Sequence, residues 1–200
     1  MREPDHLDPA AVGVIVLAAG GSTRMGQPKQ LLRFGGESLL RRAVRTALAT
    51  HDSRTLVVVG SDAPAMQSEL RDVPASIILN SDWARGLSSS IRCAIGALGQ
   101  AARAALFMTC DQPLVTPSLL QGMIDIFRTA SAPLVACEYG GTLGVPALFS
   151  HRHFRDLLAL TGDAGAKALL IRHEGEVHRI PFPEGSYDVD TIQDFRRMSS

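Results

Sequence analysis

The sequence predicts an α/β fold: a three-layer sandwich on a Rossmann-like, mostly parallel sheet, with a small irregular C-terminal add-on. Three observations carry that expectation. Short runs rich in Val, Ile and Leu recur without alternation, as strands buried on both faces do. Segments with apolar residues at helical spacing separate them. Polar loops, several with glycine, follow the ends of the runs, where an open parallel sheet gathers its ligand-binding loops.

Residues 1–11 (MREPDHLDPAA) read as a disordered lead-in, and 12–200 as one domain. The lead-in lacks the apolar region of a signal peptide. Val12 to Ala18 reads as a fully buried strand, and residues 20–28 as the loop that follows it. Leu39 to Ala49 is predicted to be a helix with Ser38 as its N-cap. Thr55 to Val59 is the next strand, ending at Gly60, then a short helix over Ala65 to Arg71 and a third strand over Ala75 to Leu79. The loop NSDWARGLSSS opens a helix from about Ser89 to Leu98. Ala104 to Thr109 is a buried strand that stops at Cys110-Asp111-Gln112-Pro113. Thr116 caps a helix with Pro117 at its first position, running to about Arg128. Leu134 to Glu138 reads as a strand, Gly140-Gly141 as a turn, and Val145 to Phe149 as a further strand or extended piece. Two short helices follow (His151 to Leu160, Ala164 to His173), then a strand at Val177 to Pro181 and a last helix from about Thr191.

Composition narrows the function. Lys+Arg and Asp+Glu balance at 20 each, so no global field draws the chain to nucleic acid or a membrane surface. The longest apolar run, Val14 to Ala19, is far too short to span a bilayer, so the expected location is the cytoplasm. The three cysteines (93, 110, 137) lack metal or dithiol spacing and read as reduced and structural. The six histidines show no HxxxH or other ligand spacing, so no zinc site is expected.

The chemistry lies at the strand ends. The glycines at 20, 21 and 26 fit neither GxxxxGK[ST] nor GxGxxG. The loop can be a tight turn with surface charges. Alternatively its backbone N–H groups near Ala19 to Ser22 grip phosphate oxygens while Arg24 and Lys29 add charge-assisted bonds. Asp111 can cap the following helix or, beside phosphate oxygens, hold Mg²⁺. Asp188 or Asp190 would be the second ligand, unless they cap the final helix. The 80–90 loop offers Asn80, Trp83, Arg85, Gly86 and three serines: the serines can be ordinary caps, or the glycine and hydroxyls can read the base edge and ribose of a nucleotide.

These motifs resemble a known family. LAAGGSTRMGQPKQLL is similar to the signature LAAGxSxRMGxxKxLL of the MobA/MocA-like nucleotidyltransferases, and NSDWARGLSSSI, CDQP, LGVPALF, GDAGAK and DVDTIQDF follow in family order. The double alanine resembles the molybdenum cofactor cytidylyltransferase branch. The chain departs from pattern at Lys167, where arginine is usual, and at CDQP, where GDMP is common. The resemblance implies that Ala18, Ala19 and Gly20 hold the base and ribose side, with Leu17 also nucleotide-binding, and Gly21, Ser22 and the backbone to Arg24 over the phosphates. It implies catalytic roles for Arg24, Lys29 and Asp111, nucleotide contacts from Asn80, Gly86, Ser88 and Ser89, and Mg²⁺ on Asp111 and Asp190. Gly144, Pro146, Asp163, Gly165 and Lys167 would face the acceptor. The implied partners are a nucleoside triphosphate, CTP favoured, a phosphorylated acceptor such as molybdopterin, and a molybdenum hydroxylase that receives the product.

Overall fold

The computed structural model describes residues 12–22, 25–51, 53–99, 101–189 and 191–198. The lead-in, Arg24 and Asp190 therefore lie outside the described residues. The chain forms β1 (Val12–Ala18), a small hairpin of β2 (Arg33–Phe34) and β3 (Glu37–Ser38), α1 (Leu39–Leu48), β4 (Ser53–Val59), α2 (Ala63–Glu69) and β5 (Ser76–Leu79). Next come α3 (Leu87–Leu98), β6 (Ala104–Thr109), α4 (Pro117–Thr129), β7 (Leu134–Tyr139) and β8 (Thr142–Ser150). The last elements are α5 (Phe154–Ala159), α6 (Ala166–Arg172), β9 (Val177–Pro181) and α7 (Ile192–Met198).

Seven strands make one sheet in the order β5-β4-β1-β6-β8-β7-β9. β1 lies parallel between β4 and β6, and all seven of its residues are buried, which is why it shows no polar alternation. Its even-numbered residues, with Val57, Leu106 and Met108, pack under α1, α2 and α4. Ile15 and Leu17, with Leu56, Val58 and Phe107, face α3, α5 and α6. The period-2 alternation thus sorts one strand between two cores and produces the three layers. At Gly13 a β-carbon would overlap Leu98 Cδ1, so the missing side chain lets α3 lie close to the sheet.

The sheet is mixed rather than wholly parallel, because β8 runs antiparallel to both β6 and β7. Gly140 and Gly141, at φ 56° and 73°, supply the two left-handed residues of a tight hairpin between Tyr139 and Thr142. Val145 and Pro146 have no partner in β7, since Cys137 pairs with Gly144 and Ala136 with Ala147. A bulge is where a residue without an N–H fits a strand. β9 then adds parallel to β7, so the later third extends the sheet while α5 and α6 cover its face.

Two expected helix starts are present in detail. Ser38 Oγ accepts from Arg41 N at 3.0 Å, and Thr116 Oγ1 from Leu119 N at 3.2 Å, with Pro117 first in α4. α3 begins two residues earlier than expected, at Leu87, with Gly86 as its N-cap. Among the described residues, no helix is long and apolar enough to cross a membrane.

Candidate active site

Where β1 ends, the chain turns through Ala19, Gly20 and Gly21 along the floor of a cleft of about 440 Å³. That volume suits a small-molecule ligand. The turn is held from behind by Gln30, 2 % exposed on the 3₁₀ turn Lys29–Leu31. Its Nε2 donates to the carbonyls of Ala18 (3.1 Å) and Gly20 (2.7 Å). Its Oε1 accepts from Ser22 Oγ at 3.1 Å, and Ser22 Oγ in turn accepts from Lys29 N at 3.0 Å. Ser22 is in the left-handed region, at φ 48°. One buried amide thus ties both ends of the loop together and fixes the start of the Lys29 side chain.

That side chain crosses the cleft to Asp111, just beyond β6, with Nζ 2.6 Å from Oδ2. The two residues are 82 apart in sequence, and both side chains keep about a fifth of their surface exposed, 19 % and 18 %. Asp111 is fixed through its backbone: its carbonyl accepts from Val189 N at 2.9 Å, and the Val189 side chain is fully buried. The neighbouring Cys110 also lines the cleft. Burial, then the Asp111 charge, push its thiol up to about 12, so it stays protonated and serves as wall rather than nucleophile.

The opposite wall is Trp83, Gly86, Leu87 and Ser90, with Asp163 beside them. Trp83 lies against Gly21 and Gly60, its ring 3.2 Å from where a Gly21 β-carbon would sit. It presents a partly exposed indole face to the cleft, a surface on which a base can stack. Gly86 has φ 96°, and a β-carbon there would meet the Gly162 carbonyl and Asp163 Oδ1. Ser88 N donates to that same carbonyl at 3.1 Å, so the start of α3 is sutured to the loop between α5 and α6.

The sequence-derived residues separate into two groups. Leu17, Ala18, Ala19, Gly20, Gly21, Lys29, Gly86, Asp111 and Asp163 converge on the cleft. Asn80, Ser88 and Ser89 are buried behind its wall and spend their polar groups there. Asn80 Nδ2 donates to Ser89 Oγ (2.9 Å) and Ser90 Oγ (3.0 Å), its Oδ1 accepts from Asp82 N, and Ser88 Oγ accepts from Arg92. Gly165 is packed under Leu87, while Lys167 stands exposed on α6. Gly144 and Pro146 are buried in β8; a β-carbon on Gly144 would overlap the Tyr139 hydroxyl, which donates to Val145 O at 2.9 Å. Asp188 is exposed and lines a separate cavity of about 380 Å³ with Phe34 and Tyr187.

Gln30 is a site residue that the sequence did not single out, and Trp83 was offered by its loop without a role of its own. Gln30 adjoins Lys29 in the same motif, and Trp83 is the only tryptophan, set between two polar loop ends. We expect Gln30→Leu to lower stability by about 2 kcal/mol, since it leaves two carbonyls and a hydroxyl without their partner. Urea titration measures this, and an unchanged midpoint would contradict the role assigned to the amide.

A glycine floor, an aromatic wall and a lysine–aspartate pair at the strand ends define the class: an α/β protein with a small-molecule cleft at the C-terminal ends of its parallel strands. The family follows from comparison with known proteins. The MobA-like NTP transferase domain matches residues 14–177, and the chain belongs to that nucleotidyltransferase family. It is 29 % identical over 202 residues to a nicotine blue oxidoreductase of Paenarthrobacter nicotinovorans, covering 95 % of this chain and 97 % of that one. A homologue of Rv0371c from Mycobacterium sp. strain JC1 superimposes with TM-score 0.80 at 33 % identity, over 96 % of both chains. Rv0371c of Mycobacterium tuberculosis in complex with manganese gives 0.78 at 26 % identity, over 94 % of this chain and 97 % of that one.

Proposed function

We propose that this protein is a Mg²⁺-dependent nucleotidyltransferase that moves CMP from CTP to the phosphate of molybdopterin, in the cytoplasm, and supplies a molybdenum hydroxylase with the product. The observation that carries the reading is the Lys29–Asp111 pair facing the glycine floor. An oxygen of the acceptor phosphate attacks the α-phosphorus in line. The new P–O bond forms as the bond to the β-phosphate oxygen breaks, and pyrophosphate leaves. The attacking phosphate is already ionised, so no general base is needed.

The chain's contribution is then positioning and charge. Lys29 donates to the α-phosphate region, and the Gly20–Ser22 backbone lies along the phosphates, extended by Arg24 in sequence. Trp83 covers the base, and the Asp163 loop faces the acceptor. Asp111 suits a hard cation, being a part-exposed carboxylate where triphosphate oxygens would complete the coordination, with Asp190 as the proposed second carboxylate. Bound there, Mg²⁺ would neutralise charge on the triphosphate and on leaving pyrophosphate. The manganese complex of the mycobacterial relative supports a divalent ion in this fold.

The experiment is incubation of the purified protein with each nucleoside triphosphate, Mg²⁺ and molybdopterin, with mass analysis of the product. We expect a cytosine dinucleotide and stoichiometric pyrophosphate; a guanine dinucleotide would change the base, and no dinucleotide with any triphosphate would remove the reading. A second reading, an oxidoreductase using the same cleft, is favoured by the end-to-end similarity to nicotine blue oxidoreductase. Reduced-nicotinamide consumption without pyrophosphate release would select it.

A further inference from the structure

Away from the cleft, three side chains converge at the far end of the α5–α6 pair. His153 closes the 3₁₀ turn before α5, Asp156 lies on α5, and His173 ends α6. Asp156 Oδ2 is 3.6 Å from His153 Nδ1 and 3.8 Å from His173 Nε2. Both distances exceed a hydrogen bond, so this oxygen faces two ring nitrogens while sharing a proton with neither. One ligand atom from each residue lies within 4.8 Å of the other two. A tetrahedral ion with bonds near 2.0–2.1 Å holds its ligands about 3.3 Å apart, within small side-chain rotations of this arrangement.

Two further observations fix which ring nitrogens face the cluster. His173 Nδ1 lies 3.1 Å from Glu176 Oε1. An N–H donated to that carboxylate leaves Nε2 bare toward Asp156, as in the carboxylate–histidine–metal arrangement. His153 is 6 % exposed, and its Nε2 is buried with no hydrogen-bond partner among the described residues. Nδ1 is therefore the nitrogen of that ring with a polar neighbour.

We propose that His153, Asp156 and His173 form a structural metal site, supported by Glu176, that takes a borderline ion such as Zn²⁺ and clamps α5 to α6. Two imidazoles and one carboxylate select such ions over Mg²⁺, which prefers oxygen ligands. The clamp sits at the base of a helix pair whose connecting loop carries Asp163 into the cleft. It would hold that loop without touching a reacting group. The sequence conceals the site because its third ligand comes 17 residues after the second, from another helix.

The test is Zn²⁺ binding to the full chain by calorimetry, with circular dichroism to confirm folding of each variant. We expect one Zn²⁺ to bind wild type and Asp111→Asn alike, with a rise in melting temperature that a chelator reverses. His173→Gln and Asp156→Asn should abolish binding, and Glu176→Gln should weaken it by about 10–100-fold. Absence of binding, binding unchanged in His173→Gln, loss in Asp111→Asn, or displacement by excess Mg²⁺ would each overturn the proposal.

Discussion

Lys29→Ala is expected to lower kcat by about 10²–10³-fold, the usual effect of removing one preorganised donor from a developing oxyanion. The nucleotide Kd should change far less, because the loop is held by Gln30 and by the Lys29 backbone rather than by its ammonium. The fold should survive, since the side chain is part-exposed and lies outside both cores. Lys29→Arg should not restore the rate, because the larger guanidinium would hold the Asp111 carboxylate in a two-bond fork in place of a compact charge 2.6 Å from Oδ2. Single-turnover pyrophosphate release checks both variants. A Lys29→Ala rate within a few-fold of wild type would remove the lysine from the chemistry.

Asp111→Asn is expected to act through the metal. The amide keeps the shape but loses the charge, so the Mg²⁺ concentration for half-maximal rate should rise by more than about tenfold, and kcat at saturating metal should fall by about 10²-fold or more. Stability should change by about 1–2 kcal/mol, because the pair with Lys29 is only about a fifth exposed while the amide oxygen can still accept from the ammonium. A metal titration at fixed CTP separates the two effects. Unaltered metal dependence would place the ion on other residues. The double variant with Lys29→Ala should lose less than the product of the two single losses, as groups acting as a unit do.

How much of this was legible depended on the range of the contact involved. The starts of α1 and α4 could be read because Ser38 and Thr116 bond amides three residues on. The start of α3 could not, because Gly86 fits there only against the Gly162 carbonyl, 76 residues away. β1, β4 and β6 stood out as apolar runs, whereas the direction of β8 depended on the two left-handed glycines before it. At the site, Lys29 and Asp111 were legible as charges following strands. Gln30 was hidden because its partners are backbone carbonyls, which leave no mark in sequence. Asn80, Ser88 and Ser89 have the residue types of ligand contacts, yet inside the cleft wall Asn80 bonds Ser89, Ser89 donates to the Gly86 carbonyl and Ser88 accepts from Arg92.

The central placement of β1 has a consequence for how the protein breathes. Val12 to Leu17 are paired on both edges, so those amides can exchange with solvent only when the sheet opens. A few residues later the Gly20 carbonyl is retained by a single side chain. The cleft floor therefore spans a step in local opening free energy, from a strand paired on both edges to a loop held mainly by side-chain bonds. A nucleotide settling there can quiet the loop without drawing on the stability of the sheet, and its departure need disturb nothing below Ala18.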